Sequence, residues 1–498
     1  MKTALILYPH QLYPFDQLPQ VDSVLMVEEP LYFGVDQEFP LKLHKQKLIL
    51  LRASMRRYVE EVLWPNGIKV DYIELDVFMR SGDILDRFKK YDQLQVFDPV
   101  HEVLTQRLLL ARRQQEKMPT ILFLPSPNFY LQDQEVRAFM QQTHKELFAE
   151  FYQWQRERFN VLIGNDYKPL GGAWMLGAVD ADGKKMPADV RAPGFAVFGD
   201  NQWVTDATAY VDEHFPDNPG STEFIWPTNH QEAATWLREF IENRLDNYAL
   251  YPEAFDAEIA WAFHSGLSPC LNNGLLSPQQ VVGAALDRHA ATPVPLESLE
   301  LFIRNIMGRR ELARGTYVVR HRESLNGSLQ HKRRMTPEWY SGALGIPPFD
   351  DLVARLLRRG YANQPERTLL AGNLMLLAEI EPLEIARWLG ELCVDADDWN
   401  VTSTVYDWFH FSGAGNIGEK RLPFTSSNYL LQVSHYERGE WSDIWDGLYW
   451  RLVEKNKTLL GHHPSGRILT QRLARLDADR RRIIHYRAED FLNKYTRL

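Results

Sequence analysis

The residues best suited to chemistry in this sequence gather in one short stretch, His264–Pro278, which reads HSGLSPCLNNGLLSP. Ser-Gly and Ser-Pro turns and an Asn-Asn-Gly break it into short pieces. Small hydroxyl side chains beside free backbone N–H groups at helix starts make anion sites, so Ser265 and Ser268 could cradle a diphosphate. The same pattern also describes a plain helix–loop–helix corner capped by serines. Other chemical signatures are missing: there is no HExxH, no Walker-type phosphate loop and no GxSxG elbow. Two cysteines, Cys270 and Cys393, exclude a disulfide framework and an all-cysteine zinc or iron–sulfur site within one chain. The histidines show no metal-binding spacing, and His462-His463 before Pro464 reads as a loop.

Charge and aromatic content narrow the partners. The formal net charge is −10, so any contact with nucleic acid must come from a local basic face. Residues 301–370 supply a candidate, with thirteen Arg and Lys against six Asp and Glu, although a solvated arginine-rich helix surface reads the same way. The 14 Trp suit large buried cores, or aromatic contacts to a cofactor or to bases. Free cysteines suit a reducing cytosol. The opening MKTALILYPHQL reads as a first β-strand rather than a signal peptide. No stretch approaches the ~20 apolar residues that span a bilayer.

The elements that must position these residues follow from periodicity. A chain of 498 residues is too long for one core and implies two or three domains. Strands are expected at Ala4–Tyr8, Ser23–Val27, Val70–Leu75, Gln93–Phe97 and Thr120–Leu124, with helices at Lys45–Leu63 and Val103–Arg113 between them. This alternation predicts a doubly wound parallel α/β sheet over 1–135. No GxGxxG follows the first strand, so a ligand is expected beyond the strand ends, near Pro9–Leu12 and Glu28. Residues 129–160 read as helical. Gly164–Pro227 is rich in Gly, Pro, Asp and Asn and reads as a long connector, placing a linking segment over 136–230. From Glu232 onward nearly every segment has helical period: 232–248, 254–264, 278–287, 296–311, 349–359, 366–378, 382–393, 427–434, 443–456 and 467–493. No strand is expected there, and 231–498 should be an all-helical domain able to hold a cofactor between helices.

The run His264-Ser265-Gly266-Leu267-Ser268-Pro269-Cys270-Leu271-Asn272-Asn273-Gly274 resembles the Thr-Ser-x-Leu-Ser-Pro-x-Leu-x-x-Gly loop of photolyases and cryptochromes, which wraps the FAD diphosphate. Arg304 and Arg310-Glu311 follow at the distance of that family's Trp-Arg-Glu helix beside the flavin. Arg367, Asn373, Asp395 and Asp397 resemble its Arg, Asn and Asp positions around the isoalloxazine ring. A carboxylate held by an Arg could accept from the ring and tune its charge. The segments MRRYVEEVL, FYQWQRERF, KPLGGAW, FIRNIMGRRELARGTY and AGNLMLLA resemble the bacterial photolyase-related proteins, most of which carry a 4Fe–4S cluster and act as (6-4) photolyases or bacterial cryptochromes.

The sequence departs from that pattern in several places. The stretches matching the cluster region, 346–352 and 434–450, hold no cysteine, so no iron–sulfur cluster is expected. Where relatives have two adjacent histidines, one an acid for the (6-4) lesion, this chain has Asn363-Gln364. Arg309 replaces a Trp that faces the lesion, trading a stacking platform for a cation. Trp399, just after Asp397, is the candidate first electron donor to the flavin, with Tyr340 or Trp339 next. The relatives' lumazine- or deazaflavin-type antenna points to Gln11 and Glu28, although the family's Gly-Asp-Gln-Leu reads Pro9-His10-Gln11-Leu12 here; His44, Gln46 and Lys47 read as ordinary helix-start residues. The resemblance thus implies a monomeric flavoprotein. It would be either a light-driven repair enzyme acting on damaged DNA, its phosphates held by Lys332–Arg334 and Arg355–Arg359, or a blue-light photoreceptor.

Overall fold

Five short apolar runs pair side by side in a computed structural model that describes all residues except 76–84, 115–118, 143–146, 178–182, 256–260, 321–328, 410–421, 423 and 463. They are β1 (Thr3–Leu7), β2 (Ser23–Val27), β3 (Val70–Ile73), β4 (Gln93–Phe97) and β5 (Thr120–Leu124). All pairings are parallel, in the order β3-β2-β1-β4-β5. Ile6 lies opposite both Leu25 and Val96, so the middle strand is apolar on both faces, as a sheet covered by helices requires. The strand order reverses between β1 and β4, and the crevice beyond their carboxyl ends is where such sheets take ligands. The helix Lys45–Tyr58 covers the sheet and runs into a π-helical turn, Val59–Leu63. Residues 129–160 supply two helices, Asp133–Met140 and Leu147–Phe159.

The expected connector hides a helix, Gln202–His214. Asn201 caps it, accepting from the Val204 N–H at 3.0 Å, and Val204, Ala207 and Val211 bury one stripe against the helix Lys45–Tyr58. The surrounding Gly, Pro and Asp mask this stripe in composition, although the cap and the spacing are both in the sequence.

The second half is helical, with corrections. The expected helix over 254–264 is absent where it is described: Trp261 and Ala262 have φ of 61° and 42°, outside the right-handed helix region, while 256–260 lie outside the described residues. A helix not expected, Asp398–Phe409, follows directly on Asp397. A short antiparallel ladder pairs Arg334–Met335 with Thr496–Arg497, where no strand was expected. Two segments read as plain helix contain π-helical turns, Arg304–Arg310 and Glu366–Gly372. Such turns leave ordinary backbone pairing and often mark functional sites, and no local sequence signal announces them. Among the described residues no helix is long and apolar enough to cross a membrane.

The helix Glu311–Arg320 ties the helical half to the sheet. Arg314 is almost fully buried and donates to the Leu131 carbonyl at 2.7 Å, to Asp133 at 2.6 Å and to Asp98 at 3.3 Å. Glu311 accepts from the N–H groups of Tyr130 and Leu131 at 2.9 and 3.4 Å. Burial pushes its carboxyl up to about 7, against the pull of Arg314. Removing Arg314 would leave Asp98 poorly compensated in a buried site. Arg314→Ala should therefore lower unfolding stability by about 3–5 kcal/mol in denaturant titration. A loss under about 1 kcal/mol, the level of a surface pair, would contradict this role.

Candidate active site

A small cavity opens at the crevice where the strand order reverses. His10 after β1, His101 after β4 and Asn128 after β5 line one side. Asn272, Arg310, Asp397 and Trp399, from the helical half, line the other. His10 Nδ1 and Asn128 Oδ1 are buried there with no hydrogen-bond partner, although buried polar atoms are almost always paired. Burial, with help from neighbouring His101, lowers His10 to about 3, so it is neutral. Burial lowers Arg310 to about 10, still charged near neutral pH, and raises Asp397 to about 6 against the opposing charge of Lys47.

Three distant segments meet beside this cavity. Arg367, on the π-helical turn, donates to Asp395 Oδ1 at 2.7 Å and to the Ala362 carbonyl at 2.8 Å. The Ser268 hydroxyl donates to Asp395 Oδ2 at 2.5 Å. Asn272 donates to the Asp395 carbonyl at 2.8 Å and accepts from Arg310 at 3.3 Å. Arg310 also donates to the Asn128 carbonyl at 2.7 Å, which carries the network across to the sheet. Burial alone would lower the Arg367 guanidinium; the Asp395 charge outweighs it and raises it. The Arg367 guanidinium also lies 5.0 Å from the Tyr361 ring.

The other predicted residues are placed as follows. Trp399 is 7 % exposed, meets Phe129 edge-on at 5.3 Å and lies 5.0 Å from the Arg310 guanidinium. Tyr340 and Trp339 pack in a different core cluster, Tyr340 beside Glu391 and Trp339 against Phe349, so neither adjoins Trp399. Ser265 faces its own turn, accepting from the Leu267 N–H at 3.5 Å, and Leu267 is buried core. His264 is half-buried, with its Nε2 buried and unpartnered, and is lowered to about 4 by burial of the ring and by neighbouring Arg244. Arg304 lies 3.6 Å from Glu300 in the buried layer below. Asn373 is tied to Thr425 at 2.8 Å, apart from Asp395. Asn363 forms a reciprocal cap with Glu366, its N–H donating at 3.0 Å and its Oδ1 accepting at 3.0 Å. Arg309 is half-buried, 5.4 Å from the Phe148 ring.

Gln11 and Glu28 serve the sheet itself. Gln11 accepts from the Tyr8 N–H at 3.2 Å and donates to the Phe97 carbonyl at 2.9 Å. Glu28 accepts from Arg52 at 2.5 Å, Tyr72 at 2.6 Å and the Leu75 N–H at 2.7 Å. His44 caps its helix, accepting from the Gln46 N–H at 3.1 Å, while Gln46 donates to the carbonyls of Glu223 and Arg358 at 2.9 and 2.7 Å. Much of the basic surplus is neutralised internally: Arg355 pairs with Glu366 and Arg359 with Glu223. Arg334 keeps 70 % of its side chain exposed, while residues 321–328 lie outside the described residues, as does His463. In the cysteine-free stretches, Asp350 accepts from the N–H groups of Leu344, Gly345 and Ile346, and Tyr436 donates to Asp351 at 2.8 Å. Among the described residues no cluster of His, Cys, Asp and Glu is arranged to hold a metal ion.

Sequence reasoning missed three participants. Lys47 reaches from the sheet side to donate to the Ala396 carbonyl, between Asp395 and Asp397. Arg244, buried beside His264, donates to the carbonyls of Ala262 and Pro193 rather than to a carboxylate. Asn128 closes the cavity from the far side. Each lies far in sequence from what it touches, and an isolated Lys, Arg or Asn gives no local signal.

Comparison with known proteins gives a consistent picture. Residues 5–226 match the family model described as deoxyribodipyrimidine photo-lyase-related protein. A (6-4) photolyase of Agrobacterium fabrum is 26 % identical over 480 residues, covering 91 % of each chain. A bacterial class III photolyase from Agrobacterium tumefaciens has the same fold at a TM-score of 0.57 and 16 % identity, covering 99 % of this chain and 98 % of that one. A Synechocystis cryptochrome superposes with a TM-score of 0.56 at 14 % identity, covering 97 % and 94 %.

The cavity also titrates. Asp397 is raised from 3.8 to about 6 by burial, so its neutral form is favoured in the folded state. Its stabilising effect is complete below 3.8 and is lost as pH rises through about 6. Asp397→Asn removes this dependence. Between about pH 4 and about pH 6 the stability of the variant should gain on the unmodified chain by up to about 3 kcal/mol in paired denaturant titrations. Parallel pH profiles for the two proteins would contradict the buried carboxyl.

Proposed function

The chain belongs to the photolyase/cryptochrome superfamily, and from that premise we propose that it is a FAD-binding, blue-light-driven DNA photolyase-like protein. The observation that carries the reading is the meeting of Ser268, Arg367 and Asp395 beside a cavity lined by Asn272, Arg310 and Asp397. Each of these residues was named from the sequence, and the fold brings them together from four segments.

The residues present fit a flavin. The cavity is polar on two sides and apolar at Trp399 and Phe129, and it holds two buried polar atoms without partners. Arg244, a buried cation that donates to the carbonyls of Ala262 and Pro193 and lies over the Phe195 ring, places positive charge beside His264, which suits an anionic group.

Bound FAD supplies light absorption and, when reduced, an electron for a pyrimidine lesion. The protein's part is positioning and charge. Arg367 fixes the Asp395 carboxylate as a preorganised acceptor. Asn272 offers an amide turned by Asp395 and Arg310. Asp397, raised to about 6, can hold or release a proton inside the cavity close to neutral pH. Damaged DNA is the partner this reading requires, and exposed Arg334 is a contact available to its phosphates.

A second reading, a photoreceptor without repair, is favoured by Asn363 and Arg309. Asn363 carries no titratable proton and is committed to capping Glu366, while Arg309 offers a cation in place of a stacking ring. Blue-light incubation of the reduced, FAD-loaded protein with DNA carrying a cyclobutane dimer or a (6-4) lesion separates the two. The first reading predicts restored pyrimidines from the cyclobutane dimer and little or none from the (6-4) lesion, which calls for an acid that Asn363 does not provide. Intact photoreduction with no repair of either lesion would overturn it in favour of the second.

A further inference from the structure

Trp226, Trp236, Trp261 and Tyr361 form a continuous ring cluster between the sheet and the helical half, apart from the cavity of Trp399. Trp226 sits in the middle, 5.6 Å from Trp236 and 5.7 Å from Trp261, with interplanar angles of 25° and 24°. Tyr361 closes the far end, 5.0 Å from Trp261. All three indoles are nearly or fully buried.

Ordinary core packing accounts for the burial and for the paired indole N–H groups, but not for the backbone strain or for the contacts with the candidate cofactor site. Each indole N–H is fixed by a separate acceptor: Trp226 on Gln46 at 3.1 Å, Trp236 on the Ser265 carbonyl at 2.9 Å and Trp261 on the Tyr361 carbonyl at 3.4 Å. Trp261 and Ala262 sit at positive φ, a conformation that costs of order 1–3 kcal/mol per residue and persists only where the surroundings impose it. The cluster also meets the candidate cofactor site from two directions. Trp236 bonds the carbonyl of Ser265, and Gly266 lets that turn lie against the Trp236 ring, where a Cβ would approach within 3.2 Å. Tyr361 lies against Arg367, the partner of Asp395.

Near-parallel indoles at this spacing, held rigidly and shielded from water, share their near-ultraviolet excitation, because dipole coupling falls steeply with separation. We propose that Trp226, Trp236 and Trp261 act as one coupled ultraviolet-absorbing array that passes excitation to the flavin site beside Ser265 and Arg367. Delivery to a flavin rests on the function proposed above; the coupling does not. No electron or proton is transferred, so the array returns to its ground state unchanged.

Near-ultraviolet circular dichroism of the full chain, free of FAD and loaded with it, tests the array. Paired bands of opposite sign should appear in the indole region in both samples. Trp226→Phe, which removes the middle ring, should abolish them, and Trp261→Phe should weaken them. Trp445→Phe, in the other core cluster, should leave them intact. In the FAD-loaded protein the excitation spectrum of flavin emission should carry an indole band, and Trp226→Phe should cut that band far more than the loss of one of 14 Trp would. If Trp226→Phe does not fold, Trp236→Phe and Trp261→Phe carry the same comparison. Spectra changed no more than by Trp445→Phe would overturn the array, and paired bands without sensitised emission from bound FAD would overturn its function. Paired bands in a chain that takes up no FAD would instead sink the cofactor reading, and delivery with it, while leaving the coupling in place.

Discussion

Two opposite charges meet at 2.7 Å in a buried place where three segments of the chain converge. Arg367 comes from a π-helical turn and Asp395 from the loop before the helix Asp398–Phe409. Ser268 and Asn272, at the two ends of the short helix Ser268–Asn272, both bond the same Asp395. A buried pair is not strong evidence of stability, because desolvation offsets much of its attraction. Its value here is that of a fixed point. Remove either charge and the other stays buried without compensation, so the three segments have one favourable arrangement.

From that point the network runs outward. Asn272 passes it to Arg310, and Arg310 to the Asn128 carbonyl beyond β5. Arg314, one helical turn further along, fastens the same helix to Asp98, Leu131 and Asp133. The cavity is what remains between these bonds and the strand ends at the point of order reversal. Its position therefore follows from sheet topology, and its polarity from the arginines that dock the helical half. Lys47 adds a cation from the sheet side, so the carboxyls of Asp395 and Asp397 face positive charge from both halves of the chain.

How much of this was legible depends on range. The strands could be read almost to the residue, because runs such as SVLMV must be buried on both faces and nothing local competes. The helix Gln202–His214 was hidden by composition, though its Asn201 cap and its Val204, Ala207 and Val211 stripe were present. The π-helical turns at Arg304–Arg310 and Glu366–Gly372 had no sequence signal, since tertiary contacts rather than local propensity impose them. In the site, the serine turn alone supported no more than a capped corner. Asp395 and Arg367 entered through resemblance, and the contact of Asp395 with Ser268 spans 127 residues, beyond any spacing rule. Tyr340, expected to follow Trp399, packs in a different core cluster, because the sequence order of aromatic residues does not fix which core each ring joins.

The account stands on the Arg367–Asp395 pair as the anchor of a flavin site, and a binding titration reaches it most directly. FAD would be titrated into the flavin-stripped chain, Arg367→Ala, Asp395→Ala and the double variant, following flavin fluorescence and folded-state stability. The account predicts saturable one-to-one uptake by the unmodified chain, a loss of at least about tenfold in affinity, or about 1.4 kcal/mol, for each single variant, and little further loss in the double. Uptake unchanged by Asp395→Ala, in a chain that remains folded, would contradict it.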